Sequence, residues 1–255
     1  MIRSRDNATF KGLKKLSRSA RERRRLGSAV IEGERLVEAC LREGGEPARV
    51  VLSAGAEGRE GGERILRLAP KAAVTILDNA LFRELSTLSS PDGILAVVGI
   101  PRRERRREEG DVLFLDGLQD PGNLGTVLRS AAASGLETVS VSSGSVDPWS
   151  PKVLRGGMGA HFFLEIREEQ DLAAAVEDFD GQVLVLDSLG TTSVFESDLR
   201  KRTAFVLGGE GAGVSPEVAK TADRVVAIPM PGWSEPLNAA VAASICLFEL
   251  VRQRR

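Results

Sequence analysis

Tyrosine is absent from this chain of 255 residues, histidine occurs once, at His161, and cysteine and tryptophan occur twice each. One histidine removes most Ser–His and Cys–His nucleophile schemes and the common metal sites, so no metal is expected. Cys40 and Cys246 are far apart and lack metal-ligand spacing. Neither a disulfide scaffold nor a zinc site is expected, which fits a reducing, cytoplasmic setting. With Trp149 and Trp233 as the only tryptophans, a base-stacking platform for single strands is poorly supplied. No apolar run approaches the ~20 residues of a spanning helix, so no membrane partner is expected. The basic N-terminus lacks the apolar stretch of a secretory signal. A net charge of −1 gives no global field toward nucleic acid.

What is present is a hydrophobic content of 42%, enough for a substantial core, and two concentrations of charge. Residues 1–25 hold ten Lys/Arg against two Asp/Glu, with Phe10, Leu13 and Leu16 between them. They read as a basic helix within an N-terminal segment 1–27, either a solvated tail or an arm that contacts phosphates. From Ser28 strands and helices alternate. Strands at Val30–Ile31, Val50–Leu52, Val74–Leu77 and Ile94–Ile100 are separated by helices at Glu34–Glu43, around Ile65 and Leu66, and at Asn79–Leu85. This predicts a small α/β/α domain over 28–100. The second concentration, RRERRREE at Arg102–Glu109, makes 101–110 a charged linker. Beyond it, strands VLFL, TVSV, QVLVLD, TAFVLG and RVVAIP alternate with helices, and a last helix spans about Leu237 to Val251. The expected fold of 111–255 is a mostly parallel sheet with helices on both faces.

Ligands of such sheets bind beyond the carboxyl ends of the strands, and three loops there are unusual. In DGLQDPGNLGTVLRSAAASG, Asp120 and Pro121 read as N-cap and first helical residue and Gly135 as the stop. Arg129 stands one turn above Gly125 and two above Gly122, where it could lie over bare backbone and join the helix N-terminus in holding an anion. LGGEGAG, Leu207–Gly213, lacks the Lys and Ser/Thr of a P-loop and does not match GxGxxG. Glu210 opposes a phosphate there; the loop suits a phosphate-free adenosine ligand, or is a tight turn with an exposed Glu. IPMPGWSEPLN, Ile228–Asn238, is stiffened by three prolines and leads into Ala239, Ala240, Ala242 and Ala243. It is a preorganised pocket wall or a structural corner capped by Asn238.

These loops carry a resemblance. DPGNLGTVLRSAAASG, VLGGEGAGVS and IPMPGWSEPLNAAVAASICLFE resemble, in order and spacing, the three motifs of the SpoU (TrmH-like) family of RNA ribose 2′-O-methyltransferases in the SPOUT superfamily. RGGMGAHFFLEI resembles the segment between the first two. EGERLVEACLREG and SSPDGILAVV resemble the substrate-binding domain attached to that family, whose fold is shared by ribosomal RNA-binding proteins. The resemblance implies S-adenosyl-L-methionine as methyl donor, a C-terminal trefoil knot, a homodimer with sites completed across the interface, and RNA as substrate, of 23S ribosomal type in preference to tRNA.

Carried over by position, Arg129 is the implied catalytic arginine and Asn123 its partner, while Glu210 and Asn238 are the polar residues of the second and third motifs. Leu207, Gly208, Gly209, Ile228, Met230 and Leu237 are the implied donor contacts, largely through backbone. Free arginine titrates above ~12. Arg129 is therefore read as a positioner and electrostatic stabiliser, with proton removal assisted by the substrate phosphate. One departure stands out. The family's Ser-Leu-Asn is here Pro236-Leu237-Asn238. Either that serine is dispensable and Pro236 only starts the helix, or the protein binds RNA with feeble catalysis; the alternative function is a non-catalytic RNA-binding or ribosome-assembly factor on the same scaffold, or a tRNA 2′-O-methyltransferase. A dinucleotide-dependent small-molecule enzyme is a third reading, opposed by the missing GxGxxG.

Overall fold

The computed structural model describes residues 1–101, 110–169, 171–232 and 235–255. The charged run at 102–109 lies outside the described residues, as do Trp233 and Ser234 of the proline-rich loop. The described chain divides into two compact units, one of residues up to 101 together with 149–162, the other of 110–148 and 163–255.

The first unit is built on β1 (Ser28–Glu32), β2 (Arg49–Ser53), β3 (Ala73–Leu77) and β4 (Ile94–Gly99), in the order β1-β4-β2-β3. β4 runs antiparallel to both neighbours, and β2 and β3 are parallel. Side chains alternate between the sheet's faces, and both sets are buried: Val30, Val51 and Leu95 on one, Ile31, Leu52 and Ala96 on the other. The first set meets α1 (Ala8–Arg18) and α5 (Asn79–Leu85). α3 (Glu34–Arg42) packs on α4 (Glu60–Leu68), β1 and β4.

Residues 1–27 are not a solvated tail. Asn7 caps α1 by accepting from Thr9 N (2.9 Å) and Phe10 N (3.3 Å), and a second helix, α2 (Ala20–Leu26), follows Ser19. Phe10, Leu13 and Leu16, at helical spacing, enter the same core as Val30, Leu77 and Phe82. Burying three such side chains is worth several kcal/mol, about 1.5–3 each, far more than a surface arm could hold.

The second unit holds β5 (Val112–Asp116), α6 (Pro121–Ala133), β6 (Thr138–Ser142), β7 (Glu165–Glu169), α8 (Leu172–Glu177), β8 (Gln182–Leu186), β9 (Thr192–Ser193), β10 (Thr203–Gly208), α9 (Pro216–Ala219), β11 (Arg224–Ala227) and α10 (Ala239–Gln253). α7 (Pro151–Gly157) belongs to the first unit, where it packs on β1. The sequence assigns all of 111–255 to one domain; the stretch 149–162 departs from that, and Gly159 comes so close to α3 that a Cβ there would lie 3.2 Å from Ala39 Cβ. The lone histidine, His161, is buried in this stretch against Trp149, ring centroids 5.3 Å apart.

The seven strands form the order β7-β6-β5-β10-β8-β11-β9, parallel at every pairing. VLFL is fully buried, as a central parallel strand covered on both faces must be. Val112 and Phe114 join Leu172, Val176 and Val218 from α8 and α9, while α6 and α10 pack against each other and α10 on β10. β7 is not legible in sequence: its EIREE carries no apolar run, because an edge strand can remain charged.

Both thiols are core groups. Burial pushes the Cys40 thiol up to about 11. Burial, with the nearby Glu249 carboxylate adding to it, pushes Cys246 up to about 12. Since the thiolate is the reactive form, native protein at pH 8 is expected to take up no iodoacetamide at either cysteine, and to label at both in denaturant. Mass spectrometry checks this; rapid labelling of the folded chain would contradict it.

Candidate active site

β5 ends at Asp116, and the chain then turns into α6. Asp120 is the N-cap, its carboxylate accepting from Asn123 N at 2.7 Å, with Pro121 at the first helical position. The helix ends in a Schellman turn: Gly135, at φ 82°, donates to Ala132 O (3.1 Å) and Leu136 to Ala131 O (3.1 Å). The carboxylate of Asp120 occupies this helix N-terminus.

β10 runs beside β5 and enters the glycine loop. Gly209 N donates to Asp116 O at 2.8 Å, and Ser215 N to the Asp116 carboxylate at 2.8 Å, so the residue ending β5 fastens both ends of the loop. The loop closes on itself through Gly213 N to Gly209 O, 3.0 Å. Gly211 and Gly213 have φ of 85° and 67°, open to glycine at little cost.

Asn238 is the N-cap of α10, its Oδ1 accepting from Ala240 N (2.9 Å) and Val241 N (3.4 Å). Its Nδ2 donates to Asn123 Oδ1 at 2.9 Å, and Asn123 Nδ2 in turn donates to Glu210 Oε1. The three loops, separated by 87 and 115 positions along the chain, are therefore joined in one chain of hydrogen bonds, Glu210–Asn123–Asn238. The arrangement orients both amides and leaves Glu210 Oε2 outside the bond to Asn123.

Beside this chain opens a cavity of about 530 Å³ at the carboxyl ends of β8, β10 and β11. Leu207, Gly208, Gly209, Ile228, Met230 and Leu237 all line it, as do Glu210 and Asn238. Asn123 is bonded to two of these lining residues, Glu210 and Asn238. Arg129 is not among the residues that line the cavity: the side chain is exposed on α6, with no hydrogen bond or ion pair to another described residue. Sequence reasoning missed Leu186, Asp187 and Ser188, which form the β8 side of the cavity. The signal was the aspartate ending QVLVLD, at the same strand end that singled out the other loops.

The chemistry of the lining is distinctive. Among the described residues its charged side chains are two carboxylates, Asp187 and Glu210, with no lysine or arginine. Among the described lining side chains a pyrophosphate would meet only carboxylate charge, which opposes the dinucleotide reading; a ligand with apolar faces, hydroxyls and positive charge is complementary. Among the described residues no group of three or more His, Cys, Asp or Glu could hold a metal ion. No described helix is long and apolar enough to cross a membrane.

The model of the SpoU rRNA methylase family matches residues 111–248, the span that holds all three loops. The chain belongs to that family. A model of the MRM3-like substrate-binding domain matches residues 7–96 of this SpoU methylase. Across its length it is 31% identical to the 23S rRNA (guanosine(2553)-2′-O)-methyltransferase RlmP of Bacillus subtilis, covering 98% of each chain. It is 30% identical to the mitochondrial rRNA methyltransferase 3 of Mus musculus, over 94% of this chain and 70% of the relative. The crystal structure of the SpoU methyltransferase AviRb from Streptomyces viridochromogenes in complex with AdoMet superposes with a TM-score of 0.87 at 27% identity, covering 97% and 98% of the two chains.

Pro236 lines the cavity but does not start the helix. α10 begins at Ala239 with Asn238 as cap, two residues later, so the helix-start role is withdrawn. Since the cap and the Asn123 bond involve residue 238 alone, Pro236→Ser is expected to leave donor affinity within about threefold, a change of less than ~0.7 kcal/mol. Calorimetry measures the affinity, and a tenfold gain in turnover for the serine variant would mark Pro236 as an impairment.

Proposed function

We propose that this SpoU methylase transfers a methyl group from S-adenosyl-L-methionine to a ribose 2′-hydroxyl of ribosomal RNA, of the 23S type. The observation that carries the reading is the Glu210–Asn123–Asn238 chain beside a cavity whose described charges are carboxylates. The residues fit the donor: Leu186, Leu207, Ile228 and Leu237 offer apolar walls, the glycine loop offers bare backbone, and Asp187 and Glu210 offer acceptors for hydroxyl and ammonium groups. Bound there, the donor supplies a methyl group on a positively charged sulfur. Asn123 and Asn238 hold the loops that orient it, and Glu210 is fixed by Asn123 with one carboxylate oxygen left to accept. Arg129 supplies a fixed positive charge that grips an RNA phosphate and stabilises negative charge growing on the ribose oxygen.

Arg129 lies outside its own chain's cavity, which supports a homodimer in which a second copy delivers it. α10, packed on α6, exposes Val241 and Phe248 one heptad apart, an apolar stripe suited to such an interface. A trefoil knot goes with this reading, as the family resemblance implies. The proposed location is the cytoplasm, in keeping with the full-length likeness to the bacterial RlmP.

The test is incubation with methyl-labelled donor and deproteinised ribosomal RNA, followed by mapping of 2′-O-methyl positions. Label at one ribose of the large-subunit RNA is expected. Donor binding without transfer to any ribosomal RNA would overturn the proposal and favour the RNA-binding factor.

A further inference from the structure

α1 and α2 carry more positive charge than their own surroundings use. Lys11 pairs with Asp6 at 2.8 Å, Arg25 with Glu22 at 2.8 Å, and Arg5 and Lys14 share Glu84. Lys15, Arg18 and Arg21 are exposed and have no carboxylate partner among the described residues. Arg18 reaches only a backbone oxygen, that of Glu84, at 3.2 Å. Glu22 lies in the field of Lys15 and Arg21 as well as of Arg25, one negative charge among three cations. On α1, Lys11, Lys15 and Arg18 fall on one face, opposite the buried Phe10, Leu13 and Leu16, and span about 10 Å along the axis.

The bend between α1 and α2 is fixed. Ser19 ends α1, its N–H donating to Lys15 O at 2.9 Å, and begins α2, its hydroxyl accepting from Glu22 N at 3.3 Å. Arg23 is only 4% exposed, and its guanidinium donates to Leu16 O (2.8 Å) and Ser17 O (3.0 Å). Those are carbonyls that a helix end leaves without intrahelical partners. A buried arginine spent on the bend sets the two cationic helices at one angle before any ligand arrives, and preorganisation lowers the ordering cost of binding.

We infer that the Lys15–Arg18–Arg21 face of α1 and α2 is a preorganised track for the phosphates of the RNA substrate, with Arg23 as the positioning residue that holds its shape. The inference rests on the RNA-methyltransferase reading above and adds to it where the backbone is gripped. Phosphate pairing of this kind fixes register and carries no sequence information, so it leaves the choice of nucleotide to other groups.

The test is a triple reversal, Lys15→Glu, Arg18→Glu and Arg21→Glu, with the neutral triple Lys15→Gln, Arg18→Gln and Arg21→Gln beside it to separate repulsion from the mere removal of positive charge. All three side chains are exposed, and thermal melts check that the variants fold. Binding to a large-subunit RNA transcript is measured at several KCl concentrations. Each cation–phosphate pair removed lowers the log–log salt slope by roughly 0.7–0.9. Removing three predicts a slope smaller by about 2–3 and a Kd raised at least roughly tenfold at 0.1 M salt in both variants. Donor affinity stays at the wild-type value. An unchanged slope and Kd in both folded variants would overturn the track. If wild type binds RNA with the predicted slope difference but methylates none, the track stands and the methyltransferase reading fails.

Discussion

Replacing Arg129 by alanine is expected to lower methyl transfer by about a hundred- to a thousandfold, the usual cost of removing one electrostatic group that acts on developing charge. Donor affinity is expected to stay within about twofold, because Arg129 does not line the cavity. Arg129→Lys should recover only part of the activity, since an ammonium keeps the charge but loses the planar fork that matches a phosphate. The decisive version mixes two impaired chains, Arg129→Ala and a cavity variant such as Gly208→Ala, at a donor concentration that fills wild type but not the Gly208 variant. If each site combines one copy's cavity with the other copy's arginine, mixed dimers have one intact site. About a quarter of wild-type activity then returns under statistical exchange. If Arg129 acts within its own chain, no mixture recovers activity, and the dimeric site is wrong.

The second large effect belongs to Gly208. A Cβ built there would stand 2.0 Å from Gly213 C and 2.3 Å from Val214 N, both backbone atoms that cannot move aside like a side chain. Gly209 is as tight, 2.2 Å from Gly117 O, whereas Gly211 has nothing within 4 Å. The φ of Gly208 is not in the left-handed region, so crowding alone requires its glycine. Gly208→Ala must therefore push the loop away from β10 and open the bond from Asn123 to Glu210. A loss of roughly a hundredfold in donor affinity is expected, and about 2–4 kcal/mol in stability. Gly211→Ala, strained by its φ of 85° but not crowded, should cost only about 1 kcal/mol and leave most of the affinity. Calorimetry and thermal melts on the two variants give the contrast; equal behaviour would mean that crowding at Gly208 is not what shapes the site.

Much of this molecule is written locally. Alternation marked VLFL and its companions, because a strand covered on both faces must be apolar throughout. Asp120, Pro121 and Gly135 fixed the ends of α6, because caps act within a turn. The six residues named from the motifs as donor contacts all line one cavity, since strand ends in a parallel sheet gather at one edge. Elements without such local signatures were illegible: the charged edge strand β7, and the membership of 149–162 in the first unit. The basic N-terminus was legible as a helix but not as part of the core. Its arginines dominate the composition, while the three apolar residues that dock it are too sparse to announce a core.

The amino-acid order by itself determined the two α/β units, the three loops and the residue types that the chemistry needs, since propensity, capping and hydrophobic period operate over a few residues. Only the tertiary structure decided that Asn123 links Glu210 to Asn238, that Asp187 lines the cavity beside them, and that Arg129 does not. Those facts depend on which strand lies beside which and on which way each helix turns its face. Both are set by burial summed over the whole sheet, which no short stretch of chain contains.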